Sequence, residues 1–437
     1  MYLLYSFLLA IGFLIMLPAF LMRREKYASG FKERLGNYPE FKHDGRKVIW
    51  LHCVSVGETY AARPLVDELR ETFPAHRLVV STTTKTGQEL AQNIFKDKAD
   101  AVVYFPFDFK FAVRKALTRF KPSLVLLMET EIWPRFIREA KASGAKIAIV
   151  NGRLSERSAS RYKQVGPFIS RVLQDIDLAL MQGSNDADRL ISLGMPSAKT
   201  IVTGNLKFDV GTTEADTVTT ETLRDRFGFD GKRPLIVAAS THDPEERWIL
   251  EAFCSAASGA KPAPRLVIAP RHPERFDAVA KLIAEFRTDP TNEWRPYSFV
   301  RRSTAETENT IADIVLLDTI GELRSIYPLA EIVFVGGSLI PHGGQSILEP
   351  AAAGAAIITG HHTQNFADAI TTFHANRALI QLPELAPEKI VDELFDQLSD
   401  LLEDPTRRRE LARNAQAVMK ANRGATNQTT NELRKLI

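Results

Sequence analysis

Short apolar runs recur along this chain, separated by segments long enough for helices. In the first half they are Val48–Cys53, Leu78–Ser81, Ala101–Phe105, Ser123–Met128, Lys146–Val150 and Leu178–Met181. In the second half they are Leu235–Ala239, Arg265–Ala269, Ile314–Leu317, Ile332–Val335, Ala356–Thr359 and Ala378–Gln381. Runs without a polar alternation are expected of strands buried on both faces, as in parallel sheets. Their alternation with helical segments predicts βαβ units. Residues 209–234 are polar and Thr-rich, with Gly211, Gly228, Gly231 and Pro234, and read as a linker. Two parallel-sheet α/β domains facing a cleft follow, over 48–208 and 235–405. Beyond Pro405 the pattern predicts a helix to about Asn422, a break at Gly424 and a last helix, together residues 406–437.

One run is longer than any strand. Residues 2–22 carry no charge and are mostly Leu, Ile, Phe and Met, with Pro18 near the end. About 20 such residues suffice to cross a bilayer core as a helix. Arg23, Arg24 and Lys26 follow the run and none precedes it, the reverse of a cleaved secretory signal. The positive-inside rule then predicts a single-pass anchor over 1–22, with the amino terminus outside and everything after residue 22 in the cytoplasm. A hydrophobic hairpin on the membrane surface is the other reading.

Charge and composition narrow the function. Residues 23–47 hold eight Lys or Arg against four acids, a local excess of +4 in a chain whose net charge is +3. A basic juxtamembrane segment attracts anionic lipid headgroups. The remainder sums to about −1, which argues against nucleic acid as a partner. The two cysteines among 437 residues, Cys53 and Cys254, lie far apart and suit a reducing compartment without disulfides or a zinc site. The histidines lack ligand spacing, and neither a metal nor another cofactor is expected.

The chemistry gathers where strands end, the edge at which open α/β sheets bind ligands. After Val48–Cys53 come Val54-Ser55-Val56-Gly57-Glu58, with Gly57 allowing a close backbone approach. A carboxylate there is placed to take a proton from a substrate hydroxyl. Ser55-x-x-Glu58 also fits a capping box. Pro64, six residues on, favours instead a helix starting near Tyr60 to Arg63, with Glu58 free outside it. Thr83 and Lys85 follow the next strand in a hydroxyl-rich loop that suits a polar headgroup, and Glu129 and Glu131 follow Ser123–Met128 as candidates for a second acid. In the second half, Ser240, Thr241 and His242 follow one strand, and Arg271 and His272 another. Gly336 and Gly337 lead through a short loop to Gly343, Gly344, Gln345, Ser346 and Glu349 at a helix start. Backbone N–H groups and a helix dipole there suit a nucleotide phosphate, and Arg271 suits a bidentate phosphate clamp. Lys207, at the domain boundary, could reach into the cleft between the domains.

Together and in this order these segments resemble the 3-deoxy-D-manno-octulosonic acid (Kdo) transferases of lipid A biosynthesis. The likeness runs from the hydrophobic segment through His52–Glu58, Thr82–Gly87, Phe105–Asp108, Met128–Pro134, Asn151–Ser155, Gly204–Asp209, Ala239–His242, Pro270–Phe276 and Gly336–Pro350. It implies the GT-B fold, with two Rossmann-like domains, the first for the lipid acceptor and the second for the donor CMP-Kdo. It also implies that Glu58 is the base. Many relatives have Gly-Gly-His-Asn where this chain has Gly343-Gly344-Gln345-Ser346, so the side chains at 345 and 346 differ.

The expected reaction is an inverting, metal-independent transfer of Kdo to the lipid A precursor. Arg271, Lys207 and the N–H groups of Gly343 to Ser346 would meet the charge on departing CMP. The helix dipole is expected to keep Glu58 ionised at neutral pH. The alternatives are a GT-B enzyme with another sugar nucleotide, and a membrane-tethered binding protein on the same fold.

Overall fold

The computed structural model describes residues 1–22, 29–209, 214–288, 297–305 and 310–437, the side chains of 16–22, 214, 215, 287 and 288 excepted. The chain forms two units: residues 1–209 with 422–437, and residues 210–421. Of the basic segment 23–47, residues 23–28 lie outside the described residues, as do 210–213 of the expected linker.

The first unit holds seven parallel strands: β1 (Val48–Cys53), β2 (Arg77–Thr82), β3 (Ala101–Tyr104), β4 (Pro122–Met128), β5 (Lys146–Gly152), β6 (Leu178–Met181) and β7 (Thr200–Val202). Their order is β3-β2-β1-β4-β5-β6-β7. The chain moves outward from β1 through β2 to β3 and then restarts on the other flank at β4. The crevice at the carboxyl ends of β1 and β4 is therefore the switch point where such sheets accept ligands. Apolar clusters cover both faces, one around Trp50, Phe120 and Phe136, the other around Leu51, Leu65 and Leu126. Burial on both faces is why these strands read as continuous apolar runs.

The second unit repeats the plan with β8 (Leu235–Thr241), β9 (Arg265–Pro270), β10 (Phe299–Arg301), β11 (Ile314–Leu316), β12 (Ile332–Val335), β13 (Ala356–Thr359) and β14 (Ile380–Gln381). All pairings are parallel in the order β10-β11-β9-β8-β12-β13-β14, with the switch between β8 and β12. Twelve of the fourteen strands answer to the predicted runs. The two that do not, β7 and β10, are three-residue edge strands whose residues are half-buried or exposed. They carry no buried apolar run for a pattern to reveal.

Two expectations about boundaries are corrected. The segment 209–234 is not simply a linker, because it contains the helix Glu214–Phe227, whose Leu223 and Phe227 are fully buried in the second unit. Its Thr220 hydroxyl also donates to the Ser325 carbonyl at 2.7 Å. The tail does not act as one piece either. The helix Pro405–Asn422 belongs almost wholly to the second unit, Gly424 turns with φ +98°, and the helix Ala425–Arg434 returns to the first. Asp209 fixes that return by accepting the N–H groups of Gly424 at 2.7 Å and Thr426 at 2.5 Å.

The hydrophobic amino-terminal segment is a helix, Tyr2–Met22. Among the described residues no helix is long and apolar enough to cross a membrane. Leu433 of the last helix is fully buried with Leu65, Leu69 and Leu206. Leu433→Ala is expected to cost about 2–5 kcal/mol, as other large-to-small core changes do. Urea unfolding of the full chain measures it, and the loss is expected in the first unit's transition.

Candidate active site

Glu58 sits in a six-residue helix, Val56–Ala61, that begins directly after β1. Ser55 caps it: its hydroxyl accepts the Glu58 N–H at 3.4 Å and donates to Glu58 Oε1 at 3.2 Å. Glu58 Oε2 in turn accepts the Val54 N–H at 2.7 Å. This is a capping box with its return bond shifted by one residue, to the N–H of Val54 in place of that of Ser55, so the expectation of a helix starting near Tyr60, with Glu58 free outside it, is corrected. Pro64 is accommodated because the short helix ends at Ala62 and a second, Arg63–Thr72, starts there with the proline in its first turn. The Val54 carbonyl accepts the N–H groups of Thr83 and Thr84. Thr84 caps the helix Lys85–Ile94, and a Cβ on Gly87 would come within 2.7 Å of Thr84 Oγ1 and 3.4 Å of the Ser55 backbone. The glycine that matters for packing this turn is thus Gly87. Gly57 faces open space, its nearest neighbour Ser55 Oγ at 3.9 Å.

Burial dominates the electrostatics of Glu58, which is 7% exposed. Its carboxyl is pushed up to about 8, first by desolvation and then by Glu129 and Glu131, against the opposing N–H of Val54 and hydroxyl of Ser55. At neutral pH the resting group is mostly protonated. The expectation that the helix dipole holds it ionised fails, because a short dipole is outweighed by desolvation and two neighbouring acids.

Glu129 leaves β4 with φ +54°, a conformation disfavoured for a non-glycine residue and concentrated at functional sites. Its Oε1 lies 3.9 Å from Lys207 Nζ. Glu131 is half-buried and shifted upward by burial and by Glu129. Lys207 thus belongs to the first unit and faces this acid cluster. Asn151, missed in the sequence as a site residue, sets its position. It is fully buried at the end of β5 with φ +54°, and its Oδ1 accepts the Leu206 N–H at 3.0 Å. Thr83 and Lys85 stay beside the turn: the Thr83 hydroxyl is buried without a partner, while Lys85 is exposed and 3.8 Å from Glu89.

In the second unit three loops meet at the carboxyl edge of β8, β9 and β12. The organiser is Glu245, fully buried and not singled out by the sequence. Its carboxylate accepts four backbone N–H groups: His242 at 2.9 Å, Gly337 at 2.7 Å, and Ser338 and Leu339 at 3.0 Å each. Burial still raises its pKa. The N–H groups of the first glycine pair are committed within the fold, Gly336 to the Ala239 carbonyl and Gly337 to Glu245; of the second pair, Gly344 donates to the Gly337 carbonyl at 2.8 Å, so it is not among the N–H groups free for a phosphate. Ser240 has φ +54°, and the Thr241 hydroxyl donates to the buried Glu246 at 3.1 Å. Arg271 donates its N–H to the Thr241 carbonyl at 2.9 Å and leaves its side chain exposed.

His242 is 8% exposed, its ring 5.4 Å from that of His272 and 4.7 Å from that of His342. Burial and these two rings lower its pKa to about 4, so it is neutral at working pH. Gly343 and Gly344 both have positive φ and pack on Asn365 and on the His362–Thr363 backbone. Gln345 is half-buried, and the Ser346 hydroxyl donates to Glu349 at the start of the helix Leu348–Ala353. His342 carried no signal in the sequence, because only the fold brings its loop beside β8.

A family model described as 3-Deoxy-D-manno-octulosonic-acid transferase (kdotransferase) matches residues 29–210. The 3-deoxy-D-manno-octulosonic acid transferase of Haemophilus influenzae is 33% identical over 92% of this chain and 90% of its own. That of Bordetella pertussis is 35% identical over 88% of this chain and 86% of its own. Among solved structures, a UDP-GlcNAc 2-epimerase from Neisseria meningitidis superposes with a TM-score of 0.56 at 14% identity, over 89% of this chain and all of that one, a likeness of fold alone. The two parallel sheets, the acid at the first switch point and the match in sequence over nearly the full length agree: the chain belongs to the Kdo transferase family of glycosyltransferases.

Proposed function

We propose that this protein transfers Kdo from CMP-Kdo to a hydroxyl of the lipid A precursor, with inversion, at the cytoplasmic face of the bacterial inner membrane. The observation that carries the mechanism is Glu58, a carboxyl at the β1–β4 switch point with its pKa at about 8. A base acts best when its pKa lies near the working pH, and burial has moved an ordinary carboxylate into that range. As the acceptor hydroxyl bonds to the anomeric carbon, its proton passes to Glu58. The bond from that carbon to the phosphate oxygen of CMP breaks, and its electron pair leaves with CMP. Lys207 lies 3.9 Å from Glu129, which places one cation beside the acids that Glu58 faces.

In the second unit the leaving phosphate would be met by the exposed Arg271 and His272 and by the loop Gly343–Ser346. Glu245 is a positioning residue: it fixes the β8 and β12 loops against each other and leaves the second glycine pair, beyond the Gly344 N–H bonded to the Gly337 carbonyl, for ligand. The replacement of His-Asn by Gln345-Ser346 puts a hydroxyl in place of an amide at 346, and that hydroxyl is committed to Glu349.

Kdo transfer to a tetra-acylated lipid A precursor, with CMP-Kdo generated in place, tests the reading. Glu58→Gln keeps the capping box, for which glutamine also serves, and is expected to lower kcat by about 10²–10⁴-fold. Full activity in that variant would remove Glu58 as base. In the wild type, kcat/KM is expected to rise with pH through about 8 as Glu58 ionises.

Stability should run the other way. A carboxyl raised from about 4.3 in the unfolded chain stabilises the fold below that pH, and the contribution is lost as pH rises through about 8. Glu58→Gln should therefore melt progressively higher than wild type between pH 5 and 9. For Glu245→Gln, which cannot accept four N–H groups, KM for CMP-Kdo is expected to rise about tenfold or more, as loss of a charged hydrogen-bond acceptor implies. Initial rates at varied donor, with melting curves confirming the fold, check it.

A further inference from the structure

On length alone the amino-terminal helix could cross a bilayer. Its 21 residues at 1.5 Å each make about 31 Å, against a hydrocarbon core of about 30 Å. Its contacts point elsewhere. Arg135, 7% exposed on the helix Pro134–Ala142, donates through Nη2 to the Tyr2 carbonyl at 2.9 Å and to Ser6 Oγ at 2.7 Å. The Tyr5 hydroxyl donates at 2.7 Å to Asp108, whose carboxylate also takes the N–H groups of Arg135 and Phe136. Tyr2 and Tyr5 pack on the ring of Phe168, and Phe13 packs on those of Phe107 and Phe109. The first, second and fourth turns are thus bound to the first unit. In a spanning helix whose carboxyl end leads into that unit, Tyr5 would stand about 25 Å away along the axis, and these partners would be lost.

The opposite face is bare and apolar. Leu3, Leu4, Phe7, Leu8, Leu14 and Ile15 are 57–86% exposed. On the globular unit, Phe111, 53% exposed, stacks on Phe109, which itself packs on Phe13 of the helix. Arg23, Arg24 and Lys26 follow the helix in a segment of net charge +4. A one-sided apolar stripe next to a basic segment is what an anionic lipid surface binds, the stripe sinking to the headgroup–acyl boundary. We propose that this helix lies in the plane of the membrane, docked on the first unit, with its amino-terminal turn on the same side as the catalytic units and its apolar stripe in an anionic leaflet. The single-pass anchor is replaced by a monotopic one.

Depth-dependent quenching tests it in the full chain. Both native cysteines are buried, so fluorescent thiol labels can be placed singly at positions 3, 8 and 15 on the stripe and 5, 6 and 13 on the docked face. Vesicles of phosphatidylethanolamine and phosphatidylglycerol carry spin-labelled lipids with shallow or deep quenchers. Expected is quenching several-fold stronger at 3, 8 and 15 than at 5, 6 and 13, at the same shallow depth along the helix, with an amino-terminal tag cleavable from the side of the catalytic units. Labels at 3 and 15 sit on the exposed face and disturb no contact, which keeps the result readable if a docked-face variant misfolds. Quenching on every face, deepest at mid-helix with a protected tag, would overturn the proposal in favour of a spanning helix. A stripe shielded from lipid together with a doubled mass would overturn it in favour of a second copy of the chain. Neither result bears on Kdo transfer, which the activity assay decides separately.

Discussion

The bond from the Val54 N–H to Glu58 is the constraint around which the first unit is arranged. Val54 is where β1 ends, and its two polar backbone groups divide the work. The N–H holds the Glu58 carboxyl, while the carbonyl holds Thr83 and Thr84 at the end of the neighbouring strand. One peptide group therefore registers the acid against the sheet and against the helix that covers it. A carboxyl raised to about 8 still needs a donor when it ionises, and this N–H supplies one without a counter-cation. An arginine in its place would stabilise the charge more strongly and leave a poorer base.

The second unit solves a different problem with the same kind of group in the same place. Glu245 follows β8 as Glu58 follows β1, each in the first turn of the next helix. Glu58 keeps contacts that can give way to a substrate proton. Glu245 spends both oxygens on four N–H groups, three of them on the glycine loop after β12. Those donors point inward at an internal anion, so the loop is rigid before any phosphate arrives. Such prior ordering lowers the entropy that binding must otherwise overcome.

How much of this was legible in the sequence depends on whether the determinant is local. Strands buried on both faces have a one-dimensional signature, and Val48–Cys53, Leu178–Met181, Ile332–Val335 and Ala356–Thr359 appear with their predicted ends. Glu58, Glu129 and Arg271 stand where the sequence places them, just beyond the carboxyl ends of β1, β4 and β9, the edge at which parallel sheets accept ligands. The capping box was seen and set aside because Pro64 argued against one continuous helix. The chain resolved the conflict with two helices meeting at Ala62, a break that no spacing rule announces. Glu245, Asn151 and His342 owe their roles to partners far along the chain, such as Gly337, Leu206 and His242. A short-range pattern holds no trace of such pairs.

The last helix carries the same lesson into the order of assembly. Leu433 packs in the core that includes Leu206 and Leu65, and Asp209 clasps Gly424 and Thr426. The first unit is therefore closed by residues made after the whole second unit. Contacts across more than 200 positions form late, because loop closure costs entropy before packing offsets it. What is closed late is the layer beneath the helix Arg63–Thr72, which continues from the Glu58 turn. A buried acid facing two others is costly to hold, and a sheet that lacks its final covering helix is poorly placed to hold it. The raised carboxyl and the returning helix thus meet through one element, the helix Arg63–Thr72, which starts where the Glu58 helix ends and packs on Leu433.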